Sequence, residues 1–146
     1  MTKTYVIGVG MTRMGKQADS TVKSLTQDAV DAALADAGVQ KSNLQGAYFS
    51  NATQNHMEGQ LMVPGQVALR AMGIGGIPVV NVNNNCSTGS SALYLAHQAI
   101  EDGIADCVLA VGFEQMNPGA LGSVYTDRSS SFERFDKACD ELTEGA

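Results

Sequence analysis

Basic residues are scarce in this chain. Nine Lys and Arg stand against fifteen Asp and Glu, a formal charge of −6. With no basic stripe there are no counterions to release, so the composition argues against nucleic acid as a partner. Cysteines are few, three in number and irregularly spaced, which is no disulfide framework. A reducing compartment follows, the cytoplasm or, in a eukaryote, the peroxisome. No apolar run approaches the length of about 20 residues that a membrane span needs. No charged-then-apolar signal segment opens the chain. The two histidines, His56 and His97, lie at no spacing to the cysteines that resembles a zinc site, and no metal is expected.

Phosphate-binding loops are absent as well, although two near-misses occur. Gly8 and Gly10 begin a dinucleotide fingerprint whose third glycine would fall on Arg13. Gly10 to Lys16 matches G-x-x-x-x-G-K, but Gln17 replaces the Ser or Thr that would hold magnesium. An ordinary strand-exit loop accounts for both, and no tightly bound cofactor is expected.

What is present is one domain's length of chain, 146 residues with 44% hydrophobic content and 16 glycines. Taken in order, Tyr5–Val9 reads as a first strand buried on both faces. A helix runs from near Thr21 to Ala37 and ends at Gly38, with Ser24 to Gln27 at capping-box spacing. Its acidic residues Asp28, Asp31 and Asp36 make a solvated face. Ser42 caps a single turn, and Ala47–Ser50 is a second strand. Asn51 to Gly59 is a polar loop in which His56 reads as a surface residue rather than a catalyst. A short helix from Gln60 to Met72 carries Pro64 in its first turn. Cys107 to Gly112 is continuously apolar, a further parallel strand. From Gln115 small and polar residues dominate, and Phe132–Leu142 closes as a short helix with Phe132, Phe135 and Cys139 on one side. The alternation of strands and helices predicts an α/β fold, a mostly parallel sheet with helices on both faces.

The most informative stretch lies between Val79 and Gly103. Val79–Val82 is a β-branched run. Asn83, Asn84 and Asn85 then form a turn cluster that tolerates left-handed backbone. Cys86 follows, then small polar residues. Next comes a helical pattern with Ala92, Leu93, Leu95, Ala96, Ala99 and Ile100 on its apolar face and Gly103 as cap. Cys86 thus sits at a strand-to-helix corner, in or just before the first helical turn. Free N–H groups and the helix dipole favour a thiolate there. Two readings stand on geometry alone, a small buried hydrophobe and a nucleophile. His97 lies about three helical turns further on, too far along to reach the sulfur at roughly 1.5 Å per residue.

The run N-N-N-C-S-T-G-S-S-A-L resembles the nucleophile motif of the thiolase superfamily, above all its sterol-carrier-protein type. Cys107 to Met116 (C-V-L-A-V-G-F-E-Q-M) and the Gly8 to Thr12 opening fit the same family, so the likeness covers essentially the whole chain. The resemblance implies a thiolase-like N-terminal half over residues 1–114, and over 115–146 the truncated beginning of the loop domain that covers the CoA tail. It implies Cys86 as catalytic nucleophile in 3-ketoacyl-CoA thiolysis or the reverse condensation, with acyl-CoA and coenzyme A as substrates. The assisting histidine and the second cysteine belong to a missing C-terminal half. The small face of Ala92, Ala96 and Ala99 would pack on a partner helix, and the Val79–Val82 strand would pair across a homodimer or larger assembly. Two other classes stay open: a non-catalytic lipid-binding or assembly subunit, and a C–C lyase acting on CoA-linked steroid side chains. Such lyases tend to lack this cysteine.

Overall fold

A computed structural model describes residues 3–53, 62–116 and 133–144. Its centre is a three-stranded parallel sheet of β1 (Gly46–Ser50), β2 (Val79–Val82) and β3 (Val108–Gly112), in the order β2-β1-β3. The register pairs Phe49 with Asn81 on one side and Val111 on the other. Among the described residues four α-helices accompany it: α1 (Val22–Ala37), α2 (Pro64–Ala71), α3 (Thr88–Glu101) and α4 (Glu133–Glu144). The α/β class and the parallel sheet are as the sequence predicts.

Side chains alternate along a strand, and here both faces are used. Ala47, Phe49, Leu109 and Val111 point to one face and form the core with Leu25, Val30 and Leu34 of α1 and Ala68 and Leu69 of α2. Phe49 is fully buried. The opposite face lies under α3, whose Ala92, Ala96 and Ala99 are buried. This corrects the expectation that those alanines await a partner helix: their own sheet covers them. The outward residues of α3 are instead Leu93 and Tyr94, more than half exposed.

The amino-terminal segment departs from its predicted form. Tyr5–Val9 is not a strand, and Tyr5 and Val6 are each 71% exposed. The segment lies instead against α1. A Cβ on Gly8 would stand 2.4 Å from the Ala33 carbonyl oxygen, and one on Gly10 2.1 Å from that of Ala29. Only glycine permits that approach. The Val9 amide, which a ladder would need, is spent on the Asp36 carboxylate at 2.9 Å. Asp36 is therefore a tether rather than part of a purely solvated face, and Asp31 pairs with Lys41 at 3.2 Å.

Helix ends follow local chemistry. The capping box of α1 is one turn earlier than Ser24–Gln27: Thr21 accepts from the Ser24 amide, and Ser24 Oγ accepts from the Thr21 amide. Gly38, at φ 67°, closes the helix in the left-handed conformation. The single turn at Lys41–Asn43 is held by Gln40 and Asn43 rather than by Ser42. Pro64 opens α2 at a position whose N–H needs no partner within the helix. The predicted start at Gln60 falls outside the described residues. Strand β3 begins at Val108, one residue after Cys107, which packs beside the core. Phe135, Cys139 and Leu142 of α4 are exposed, so the expected apolar side of this helix covers nothing among the described residues, and Phe132 lies outside them.

Candidate active site

The chain leaves β1, runs through α2 on one face to β2, then returns through α3 on the other face to β3 beyond β1. It therefore reverses at β1, and in such sheets ligands bind beyond the carboxyl ends of the strands near the reversal. Asn51 and Thr53 after β1, Asn83 to Cys86 after β2, and Glu114 after β3 occupy that edge.

Each asparagine of the turn has its own task. The side-chain oxygen of Asn83 accepts from the Asn85 amide at 3.2 Å, and its nitrogen donates to the Ala52 carbonyl at 3.0 Å. The Asn84 amide donates to Thr88 Oγ1 at 2.8 Å, while its side chain donates to Ser91 Oγ at 2.9 Å. Asn85 takes φ 49°, the one left-handed non-glycine among the described residues. Asparagine bears this conformation better than most residues. The Asn85 carbonyl accepts from the Thr88 amide at 3.1 Å and from the Thr88 hydroxyl. The turn thereby winds directly into α3.

Cys86 stands just before Ser87, the residue that opens α3, and is exposed. Its sulfur lies 3.7 Å from Asn85 Oδ1, a weak S–H contact. In the first turn of α3, a Cβ built on Gly89 meets nothing within 4 Å among the described residues. The bland reading of Cys86 as a buried hydrophobe does not describe this position. His97 does not serve the sulfur. His97 faces Thr4 Oγ1 at 2.9 Å and Glu101 at 3.3 Å through its two ring nitrogens. His56 lies outside the described residues.

Three neighbours were invisible as site residues in the sequence. Asn51 is buried and donates to the Phe113 carbonyl at 2.8 Å. Thr53 and Glu114 meet across the gap between β1 and β3, hydroxyl to carboxylate. The signal that could have found them is their position one to three residues beyond a strand end. A depression of about 820 Å³ lies at the opposite, amino-terminal edge of the sheet, lined by Asp31, Lys41, Leu44 and Ile77 among others. It carries no comparable chemistry, since Lys41 is engaged by Asp31 and by the Met72 carbonyl at 3.0 Å.

With the corner in view, comparison with known proteins becomes informative. The family model for the thiolase N-terminal domain matches residues 4–140. The chain belongs to the thiolase family. It is 40% identical over 134 residues to sterol carrier protein 2 of Gallus gallus, covering 90% of this chain and 24% of that protein. It is 34% identical over 116 residues to the benzoylsuccinyl-CoA thiolase subunit BbsB of Thauera aromatica, covering 77% of this chain and 28% of the relative. This thiolase domain thus spans about a quarter of the length of such relatives. Among solved structures, 3-oxoacyl-[acyl-carrier-protein] synthase III from Aquifex aeolicus superposes with a TM-score of 0.52 at 16% identity, over 65% of this chain and 30% of that one. That likeness supports the α/β fold. No helix among the described residues is long and apolar enough to cross a membrane.

Proposed function

We propose that this thiolase domain carries the nucleophile of an acyl-CoA thiolase, with Cys86 as the acyl-accepting residue. The observation that carries the reading is the exposed Cys86 at the carboxyl edge of the sheet, held on a turn of three structured asparagines. In the cleavage direction the Cys86 thiolate attacks the 3-keto carbon of a 3-ketoacyl-CoA. The Cα–Cβ bond breaks, its electron pair leaves on Cα as the enolate of acetyl-CoA, which takes up a proton, and the shortened acyl group stays on sulfur. A second coenzyme A then removes that group as a new thioester. The base for the thiol and the acid for the carbanion are supplied from outside the described residues. One such group is typically worth 10²- to 10⁴-fold, so the domain alone turns over poorly. In this reading residues 115–146 begin the region that covers the CoA tail, and the assembly is a homodimer or larger.

The experiment is incubation of the 146-residue chain with acetyl-CoA, followed by peptide mass spectrometry. Both Cys86 and Cys139 are exposed, which makes Cys139 an internal control. We expect one acetyl group on Cys86 in preference to Cys139, lost in Cys86→Ser. Equal labelling of the two thiols, or preference for Cys139, overturns the reading. A carrier role is the second reading, favoured by the similarity to sterol carrier protein 2, and it predicts no such preference.

A further inference from the structure

Glu114 is an exposed glutamate one residue beyond the buried Phe113, yet its carboxylate is fully engaged. One oxygen accepts from the Ala52 amide at 2.8 Å, both accept from the Thr53 amide at 3.2 and 3.3 Å, and the Thr53 hydroxyl donates as well. Three donors thus converge on a group that can only accept, the arrangement in which a carboxylate is preferred over an amide. What Glu114 holds is the first turn of chain beyond β1. That turn is not isolated. The carbonyl of Ala52 accepts from Asn83, Asn83 accepts from the Asn85 amide, and Asn85 presents its Oδ1 to the Cys86 sulfur.

From this continuous path we infer that Glu114 is a positioning residue for Cys86, acting through residues 52 and 53 and the asparagine turn. The inference rests on the reading of Cys86 as nucleophile, because orienting the sulfur matters only if the sulfur reacts. Its physical basis is geometric. Asn83 reaches across from β2 to a carbonyl beyond β1, and that carbonyl is fixed in turn by the clamp from β3. The three strand ends are also cross-tied by the Asn51 amide on the Val82 carbonyl at 3.2 Å and the Phe113 amide on the Ser50 carbonyl at 3.1 Å. The sheet itself is therefore expected to survive loss of Glu114, while the side-chain path to Asn85 loosens. Asn85 is the sensitive link, since its left-handed backbone is retained only where its surroundings hold it.

The test uses the whole chain and four variants: Glu114→Ala, Glu114→Gln, Asn83→Ala and the double variant of the two alanines. Two quantities are read: the backbone amide resonance of Asn85, and the iodoacetamide rate of Cys86 across pH, divided by that of Cys139 in the same tube. We expect Glu114→Ala to move the Asn85 amide and to slow Cys86 relative to Cys139 by roughly three- to tenfold. Glu114→Gln, which keeps one acceptor oxygen, lies between. Once Asn83→Ala is present, adding Glu114→Ala changes the rate by less than about twofold, because both act through one path. A Glu114→Ala chain in which only Ala52 and Thr53 shift, with Asn85 and the Cys86 profile unchanged, overturns the inference. So does full multiplication of the two effects in the double variant. Should Glu114→Ala fail to fold by circular dichroism, the Gln variant decides by the same criteria. If wild-type Cys86 reacts no faster than Cys139, the nucleophile reading fails, and the Asn85 resonance still reports whether Glu114 positions the turn.

Discussion

Adding one methyl group at Gly65 tests the packing that sets the site's foundation. Gly65 lies in the first turn of α2, where the helix presses on the sheet. A Cβ there would stand 2.6 Å from Phe49 Cβ and 2.8 Å from both Phe49 Cγ and Asn81 Oδ1. None of these atoms can yield cheaply. Phe49 is fully buried in β1, and Asn81 already accepts from the Gly65 amide at 2.8 Å and donates to Gln66 Oε1 at 2.7 Å. To restore an ordinary carbon contact of about 3.5–4.0 Å, α2 must withdraw by about 1 Å. That carries the Gly65 amide out of hydrogen-bond range of Asn81. Overpacking costs about 1–3 kcal/mol and the lost bond about 1 kcal/mol. Alanine returns about 1 kcal/mol through the smaller entropy of its unfolded chain. A net loss of about 1–3 kcal/mol follows for Gly65→Ala. At an m-value of about 2 kcal/mol/M, the urea midpoint drops by about 0.5–1.5 M. Gly89→Ala is the control, because nothing among the described residues lies within 4 Å of its Cβ. Its midpoint should hold or rise, since alanine is the better helix former. Urea melts followed by circular dichroism at matched concentration make the comparison. A Gly65→Ala midpoint equal to wild type, or a parallel fall in both variants, would refute the packing argument.

Two further outcomes are expected. Asp36→Ala frees the Val9 amide, so exchange at that amide should quicken by roughly tenfold while the midpoint of global unfolding moves little; unchanged exchange at Val9, read by NMR, would show that Asp36 is not the tether. Strand β2 is an edge strand and Val80 is 44% exposed, so Val80→Lys should shift an associated chain toward monomer. Sedimentation at micromolar concentration decides: a monomeric wild type, or assembly indifferent to the lysine, counts against association through this edge.

The corner at Cys86 was largely legible in the sequence because its determinants are local. A β-branched run, three asparagines, a cysteine and small residues lie in one continuous stretch. Asx turns, left-handed tolerance and helix initiation all act over a few residues. The same holds for the end of α1 at Gly38 and for the strand Val79–Val82, whose bounds the structure keeps unchanged. Where the sequence misled, a choice between equally satisfying partners was at stake. Tyr5–Val9 has the composition of a strand, but strand pairing requires an available neighbour, and Gly8 and Gly10 fit against α1 instead. Nothing within those five residues reveals which partner wins. The alanines of α3 do form a packing face, but the sheet and not another helix covers it. A face pattern shows that burial occurs, not what provides it.

By itself, then, the sequence determined an α/β chain with a reactive-looking cysteine at a strand-to-helix junction, because period, turn chemistry and motif spacing are properties of neighbouring residues. Only the tertiary structure decided what surrounds that cysteine. Ala52 and Glu114 are separated by 62 residues, and Asn83 and Ala52 by 31. Parallel pairing of β1 with β2 and β3 brings these pairs together at one edge of the sheet. Long-range pairing of this kind leaves no periodic trace along the chain, so a glutamate just beyond β3 reads as one more solvated charge until the strands are placed side by side.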